Sequence, residues 1–179
     1  SVSTDAGTIT SIKHDPRAKW LRENAKLWRK QSEKALVFVH DLDTLLALQR
    51  HLEAETKVRV FVFHEAMSSE QRDIDLAMFR ESASPLLLCS EAGEEGRNFQ
   101  FCRRMVHYDL PTRPVVLEQR IGRLDRIGRK DPVEIVYFRR SGESFDLAKF
   151  YESLDLFGTP GAGLELALSN AQPLLEAAM

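Results

Sequence analysis

Hydrophobic positions along the chain alternate between two patterns. Short runs of consecutive apolar residues predict buried parallel strands, and they occur at 34–39, 58–63, 85–89, 105–108 and 133–138. Apolar residues at a spacing of three or four are typical of helices that bury one face, and they occur at 16–32, 42–52, 68–79, 115–124 and 145–157. Strands that alternate with helices predict an α/β fold, with an open parallel sheet, helices on both faces and right-handed crossovers.

Two helix starts have local signals. Asp15 and Pro16 combine a capping side chain with proline at the first helical position. Ser68 and Gln71 have the spacing of a capping box. In open parallel sheets, ligands bind at the carboxyl ends of the strands. The loops that follow the predicted strands are therefore where functional chemistry is expected.

Length and composition exclude several classes of protein. The chain has 179 residues, enough for one compact domain, and 43% of them are hydrophobic. No apolar run approaches the ~20 residues of a membrane span, so we expect no membrane partner. Cys89 and Cys102 form neither a metal-binding spacing nor a disulfide framework. We therefore expect no metal site and a reducing, intracellular setting.

The overall net charge of −2 conceals a basic middle segment. Residues 97–140 contain 11 basic and 5 acidic residues, whereas residues 141–179 contain 1 basic and 6 acidic residues. Such a concentration of positive charge favours a phosphate-bearing partner.

Four arginines recur at a spacing of three within this basic segment, at Arg120, Arg123, Arg126 and Arg129. On a helix this spacing predicts a slowly drifting row along one side. The planar guanidinium group fits phosphate oxygens and keeps its charge. The alternative is a solvated basic helix face, and the arginines alone leave both interpretations open.

The segment 90–99 is a polar, glycine-containing loop directly after the third predicted strand. It could contact a phosphodiester backbone or a ribose, or it could be an ordinary surface turn. The sequence contains no GxxxxGK[ST] phosphate-binding loop and no glycine-rich dinucleotide fingerprint. The chain alone is therefore not expected to hold and hydrolyse a nucleoside triphosphate.

Several segments resemble, in order and spacing, the second lobe of superfamily-two helicases and translocases of the Swi/Snf branch. Segment 119–129 is similar to motif VI, 90–99 to motif V and 34–40 to motif IV. Segments 63–68 and 98–101 are similar to bacterial RNA polymerase-associated ATPases of that branch. The chain departs from the pattern in having Ala66 where a glycine is usual, and Thr112-Arg113 where an aromatic-Asn pair is common.

The resemblance implies a RecA-like second helicase lobe that lacks a phosphate-binding loop. It divides the chain into a lead-in at 1–12, the lobe at 13–140 and a C-terminal helical extension at 141–179. In this family ATP and Mg²⁺ are bound mainly by the first lobe, and the second lobe adds arginines and half of the nucleic-acid track. The resemblance thus implies an ATP-hydrolysing translocase for the parent protein and leaves open whether this fragment is an enzyme.

The family motifs assign roles to individual residues. Arg123 and Arg126 match the arginine fingers that act on the γ-phosphate of ATP. Gln119, Gly96 and Asn98 match positions near the nucleotide and the neighbouring lobe. Arginine fingers in other NTPases contribute roughly 10³–10⁵ in rate.

The remaining assignments concern nucleic acid and partners. Ser90 matches a motif V hydroxyl residue that touches the nucleic-acid backbone, and His64 lies where further backbone contacts are expected. The implied partners are the first RecA-like lobe of the same protein, double-stranded DNA or an RNA–DNA hybrid, and RNA polymerase. The implied location is the bacterial cytoplasm, in association with the nucleoid. The alternatives are a translocase lobe of a restriction or phage-defence system and a non-catalytic RecA-like protein-binding module.

Overall fold

The computed structural model describes residues 11–90, 98–124, 133–138 and 147–153. The strands are β1 (Ala35–Val39), β2 (Phe61–Phe63), β3 (Leu86–Ser90), β4 (Arg104–His107) and β5 (Glu134–Tyr137). The helices that connect and cover them are α1 (Pro16–Lys30), α2 (Leu42–Thr56), α3 (Ser69–Glu81), α4 (Pro114–Leu124) and α5 (Leu147–Ser153).

The strands form one parallel sheet in the order β2-β3-β1-β4-β5. Phe38 of β1 pairs in register with Cys89 of β3 and with His107 of β4, and Cys89 pairs with Phe63 of β2. The carboxyl ends of these four strands therefore lie level at one edge of the sheet. The predicted α/β fold with an open parallel sheet is confirmed.

Alternate residues of the strands contribute to two hydrophobic cores, one on each face of the sheet. Val37 and Leu88 pack with α1 and α2 on one face. Leu36 and Leu87 pack with α3, α4 and α5 on the other. Both faces are covered, which explains why β1 and β3 are buried along their whole length and read as continuous apolar runs.

The two predicted helix starts are confirmed. The Asp15 carboxylate accepts a hydrogen bond from the backbone N–H of Arg17 at 2.8 Å, and Pro16 begins α1. The Ser68 hydroxyl oxygen accepts from the backbone N–H of Gln71 at 3.1 Å and begins α3. Both residues are N-caps, so local sequence sets where these helices start. The Gln71 side chain donates to the Asp75 carboxylate at 3.1 Å, and among the described residues no bond from it completes the capping box.

Part of the predicted C-terminal extension packs on the sheet. Tyr151 of α5 is fully buried, and its hydroxyl donates a hydrogen bond to the backbone carbonyl of Pro111 at 2.6 Å. The segments 139–146 and 154–179 lie outside the described residues. The sequence of 164–179 has a weak helical pattern, and this prediction lies there too. Among the helices that are described, none is long and apolar enough to cross a membrane.

Candidate functional site

One group of candidate residues lies at the carboxyl ends of β2 and β3. The Ser90 hydroxyl donates a hydrogen bond to the Glu65 carboxylate at 2.7 Å, which links the ends of the two strands. This hydrogen bond lowers the pKa of the Glu65 carboxyl below its ordinary value. Ser90 is only 2% exposed. Its hydroxyl is therefore engaged within the protein, and the group next to it that faces solvent is an ionised carboxylate.

His64 lies beside this pair, directly after β2. Its Nδ1 atom is buried and has no hydrogen-bond partner among the described residues. Burial lowers the pKa of the imidazole below its ordinary value. His64 is consequently neutral near pH 7, and its ring can take part in hydrogen bonds without carrying a positive charge.

A second group lies on α4. Gln119 is exposed and Arg123 is partly buried. They are four residues apart, so they lie on the same face of the helix. Gly122 lies beside them, and a side chain added there would meet none of the described residues within 4 Å. An amide and a guanidinium on one helix face form an arrangement that can receive a phosphate group.

The row of four arginines was predicted to face either phosphate or solvent, and this prediction is wrong for Arg120. This residue is 2% exposed, and the central carbon of its guanidinium lies 4.2 Å from the centroid of the Phe38 ring. Position 120 belongs to the same stripe of α4 as the buried Leu117, Ile121 and Leu124. Arg120 therefore faces the core beneath the helix, and its cation is stabilised in part by the aromatic ring.

Three further assignments have different outcomes. Asn98 is exposed, and its side-chain oxygen accepts a hydrogen bond from the backbone N–H of Gln100 at 2.9 Å, which forms a local turn. Its contact with a nucleotide stays a prediction. Gly96 and Arg126 lie outside the described residues.

Within the described ranges, no group of three or more His, Cys, Asp or Glu side chains could hold a metal ion.

Sequence reasoning missed an ionic network at the carboxyl ends of β1 and β4. The Arg17 guanidinium contacts the carboxylates of Asp15 and Asp109, each at 2.8 Å, and donates a hydrogen bond to the Tyr108 carbonyl at 2.9 Å. The other carboxylate oxygen of Asp109 accepts from the backbone N–H of His40 at 3.1 Å. The network ties the start of α1 to the sheet. No local signal could have found it, because Arg17 and Asp109 are 92 positions apart.

His107, at the end of β4, is fully buried. Its ring stacks on Phe38 with centroids 5.5 Å apart and an interplanar angle of 19°. Neither ring nitrogen has a hydrogen-bond partner in the described part of the chain. Burial, and to a smaller extent the nearby charge of Arg120, hold its pKa well below the ordinary value of 6.5. The folded protein therefore keeps this imidazole neutral.

We expect this histidine to make the folded protein sensitive to acid. Unfolded, His107 binds a proton near pH 6.5, whereas the folded protein resists that proton to a much lower pH. The unfolded state then binds more protons, so the free energy of unfolding falls as the pH drops below 6.5, by up to about 1.4 kcal/mol per pH unit. Urea unfolding of the wild type and of His107→Phe, which keeps an aromatic ring against Phe38, measures the difference.

The partly buried His51 and His64 also have lowered pKa values, because of their burial. They are present in both proteins, so their contributions cancel in the comparison. Identical loss of stability in the wild type and His107→Phe between pH values of about 7.5 and about 5.5 would show that His107 carries no such effect.

Comparison with known proteins defines the class. The chain belongs to the helicase conserved C-terminal domain family, whose model matches residues 17–128. The predicted resemblance to a RecA-like second helicase lobe is thereby confirmed. In a solved structure, the Sulfolobus solfataricus SWI2/SNF2 ATPase C-terminal domain has the same fold, with a TM-score of 0.60 and 16% identity over 92% of this chain and 65% of that one.

Particular relatives are similar in sequence. The chain is 43% identical to the RNA polymerase-associated protein RapA of Vibrio cholerae over 147 residues, which cover 80% of this chain and 15% of that protein. It is 42% identical to RapA of Cronobacter sakazakii over 157 residues, which cover 86% of this chain and 16% of that protein. The chain therefore spans about one sixth of the length of these relatives.

Proposed function

We propose that this chain is the second motor lobe of an ATP-dependent nucleic-acid translocase of the Swi/Snf type. The observation that carries the proposal is the pair Gln119 and Arg123 on one face of α4, within a helicase C-terminal domain. In this function the parent protein binds ATP between two lobes. Repeated closing and opening of the lobes then moves it along a duplex.

Arg123 and Arg126 would act on the γ-phosphate. As a phosphoryl group transfers, negative charge spreads over its equatorial oxygens, and a guanidinium held there stabilises that charge. Gln119 would hold the nucleotide on the same side of the helix, and we assign Gly96 and Asn98 to further nucleotide contacts because they match family positions near the nucleotide. Mg²⁺, bound mainly by the first lobe, would neutralise phosphate charge when present. This division of labour agrees with the lack of a phosphate-binding loop in the sequence.

The proposed function is tested by measuring ATP-dependent movement along a duplex. In a triplex-displacement assay, we expect the full-length parent protein to remove a third strand from duplex DNA with ATP and not with a non-hydrolysable analogue. ATP hydrolysis without displacement from DNA or from an RNA–DNA hybrid would contradict the translocase assignment.

We place the nucleic-acid track at the ends of β2 and β3. There His64 would contribute a neutral hydrogen-bonding ring, and Ser90 would fix the loop through its bond to Glu65. Loop N–H groups and side-chain hydrogen bonds can hold a phosphate without reading sequence. The Glu65 carboxylate opposes phosphate at close range, which limits how near the backbone can approach.

Substitutions at these ends should change duplex affinity in opposite directions. His64→Ala and Ser90→Ala should each weaken duplex binding by about three- to tenfold, the effect of one lost hydrogen bond. Glu65→Gln removes a repulsive charge and should tighten it. Because His64 and Ser90 are uncharged, their loss should leave the dependence of affinity on salt unchanged. Fluorescence anisotropy across a salt series measures both quantities, and unchanged affinity in both alanine variants would remove these residues from the track.

The relatives named RNA polymerase-associated protein support RNA polymerase as a partner. For the role of the parent protein we propose polymerase recycling. This role places the parent protein in the bacterial cytoplasm, at the nucleoid. Immobilised full-length protein should retain purified RNA polymerase. If it does not, the translocase lobe of a restriction or phage-defence system becomes the better assignment.

A further inference from the structure

A groove of about 430 Å³ lies at the other edge of the sheet, away from Ser90 and His64. It is bounded by the last turns of α1, the end of α2 and the amino-terminal ends of β2 and β3. Val60 immediately precedes β2, and Pro85 immediately precedes β3. Neither of the residue groups assigned above to nucleotide or nucleic acid lines this groove.

The floor of the groove is aliphatic. Ala25, Val58, Val60, Pro85 and Leu86 line it. Val58 is only partly buried, although the run of apolar residues from 58 to 63 favours burial. The floor therefore offers apolar surface that an incoming side chain could cover, which would contribute roughly 25 cal/mol for each Å² removed from water.

The rim of the groove is cationic. Lys26, Arg29 and Lys30 line it from the last turns of α1, and all three are exposed. Across the described part of the chain, none of them forms an ion pair. By contrast, Arg22 on the same helix pairs with Glu55 at 3.3 Å. Three neighbouring cations thus have no counter-charge among the described residues.

We propose that this groove docks an acidic peptide segment of a partner protein. An aliphatic or aromatic side chain of the peptide would enter the groove, and neighbouring Asp or Glu residues would meet Lys26, Arg29 and Lys30. Both halves of the proposal follow from complementarity, apolar against the floor and anionic against the rim. A nucleic acid fits less well, because none of the described residues that line the groove has an aromatic ring on which a base could stack.

Selection from a displayed library of random peptides, with the 179-residue chain as bait, tests the proposal without a known ligand. We expect the enriched peptides to share a large apolar residue flanked by Asp or Glu. The double variant Lys26→Glu with Arg29→Glu should lower the affinity for the tightest-binding peptide by about tenfold or more. Lys13→Glu with Lys19→Glu changes the net charge equally, lies outside the groove and should leave affinity within about twofold.

Val58→Asp tests the contribution of the floor independently of the rim. It places a carboxylate among the aliphatic side chains and should also lower the affinity for the peptide. Thermal unfolding identifies variants that have lost the fold. Enrichment of peptides without acidic residues, binding that resists the charge reversal, or no enrichment would each overturn the proposal. Displacement of the peptide by duplex DNA from the wild type and not from the double variant would assign the groove to nucleic acid and overturn it as well.

Discussion

Replacing Arg123 by alanine in the parent protein should lower the rate of ATP hydrolysis by about 10³-fold or more. Arg123 lies in the last turn of α4, partly buried, on the same face as the exposed Gln119. A guanidinium that meets the γ-phosphate only when the lobes close stabilises the transition state more than bound ATP. The loss should therefore appear in kcat, with a much smaller change in the affinity for ATP.

Two variants separate this role from a general effect of charge. Arg123→Lys keeps the positive charge but loses the planar fork of donors, so we expect it to remain strongly impaired. Arg113→Ala removes an exposed arginine just before α4 and should hydrolyse ATP within about twofold of the wild type. Steady-state kinetics with saturating ATP and duplex DNA measures all three. Near-normal turnover of Arg123→Ala would contradict its assignment as an arginine finger.

The second large effect concerns stability at Arg120. Arg120→Ala should reduce the free energy of unfolding by about 2–4 kcal/mol, because it empties a buried space beside Phe38 and removes the contact with its ring. Arg120→Met fills most of that space without a charge to desolvate, so it should cost less than alanine. Removing the cation should also raise the pKa of His107, because the charge of Arg120 lowers it.

Urea unfolding of the 179-residue chain measures these differences, with Arg113→Ala expected within about 0.5 kcal/mol of the wild type. A wild-type stability for Arg120→Ala would mean that the space closes without cost and that this arginine has no structural role. Together with Arg123→Ala, the measurement assigns different roles to two arginines of one motif, one to the core and one to the nucleotide.

Much of the sheet could be predicted because its central strands β1 and β3 are buried on both faces. The run at 34–39 contains β1, whose five residues are all buried. The run at 58–63 was too long as a prediction, since β2 begins only at Phe61. The Glu53 side chain accepts a hydrogen bond from the Val60 N–H at 2.8 Å, so this part of the backbone is satisfied by a helix residue instead of a neighbouring strand. The apolar character of the run does not show that a helix side chain, and not a strand, accepts this hydrogen bond.

The candidate site could be located by its motifs, but its geometry could not. A spacing of three does not say which arginine of a helix faces the core, and the neighbouring apolar positions of α4 turn Arg120 inward. The bond from Ser90 to Glu65 joins residues 25 positions apart. It depends on β2 and β3 lying side by side, which only the strand order establishes. Contacts of this kind are properties of the packed sheet.

We propose that this chain completes an ATPase together with the first lobe of the parent protein. ATP hydrolysis should be measured for the first lobe alone, for this chain alone and for the two joined, each with and without duplex DNA. We predict negligible hydrolysis by either part, and hydrolysis by the joined protein that duplex DNA stimulates. Hydrolysis by the first lobe alone at the rate of the joined protein would contradict this proposal.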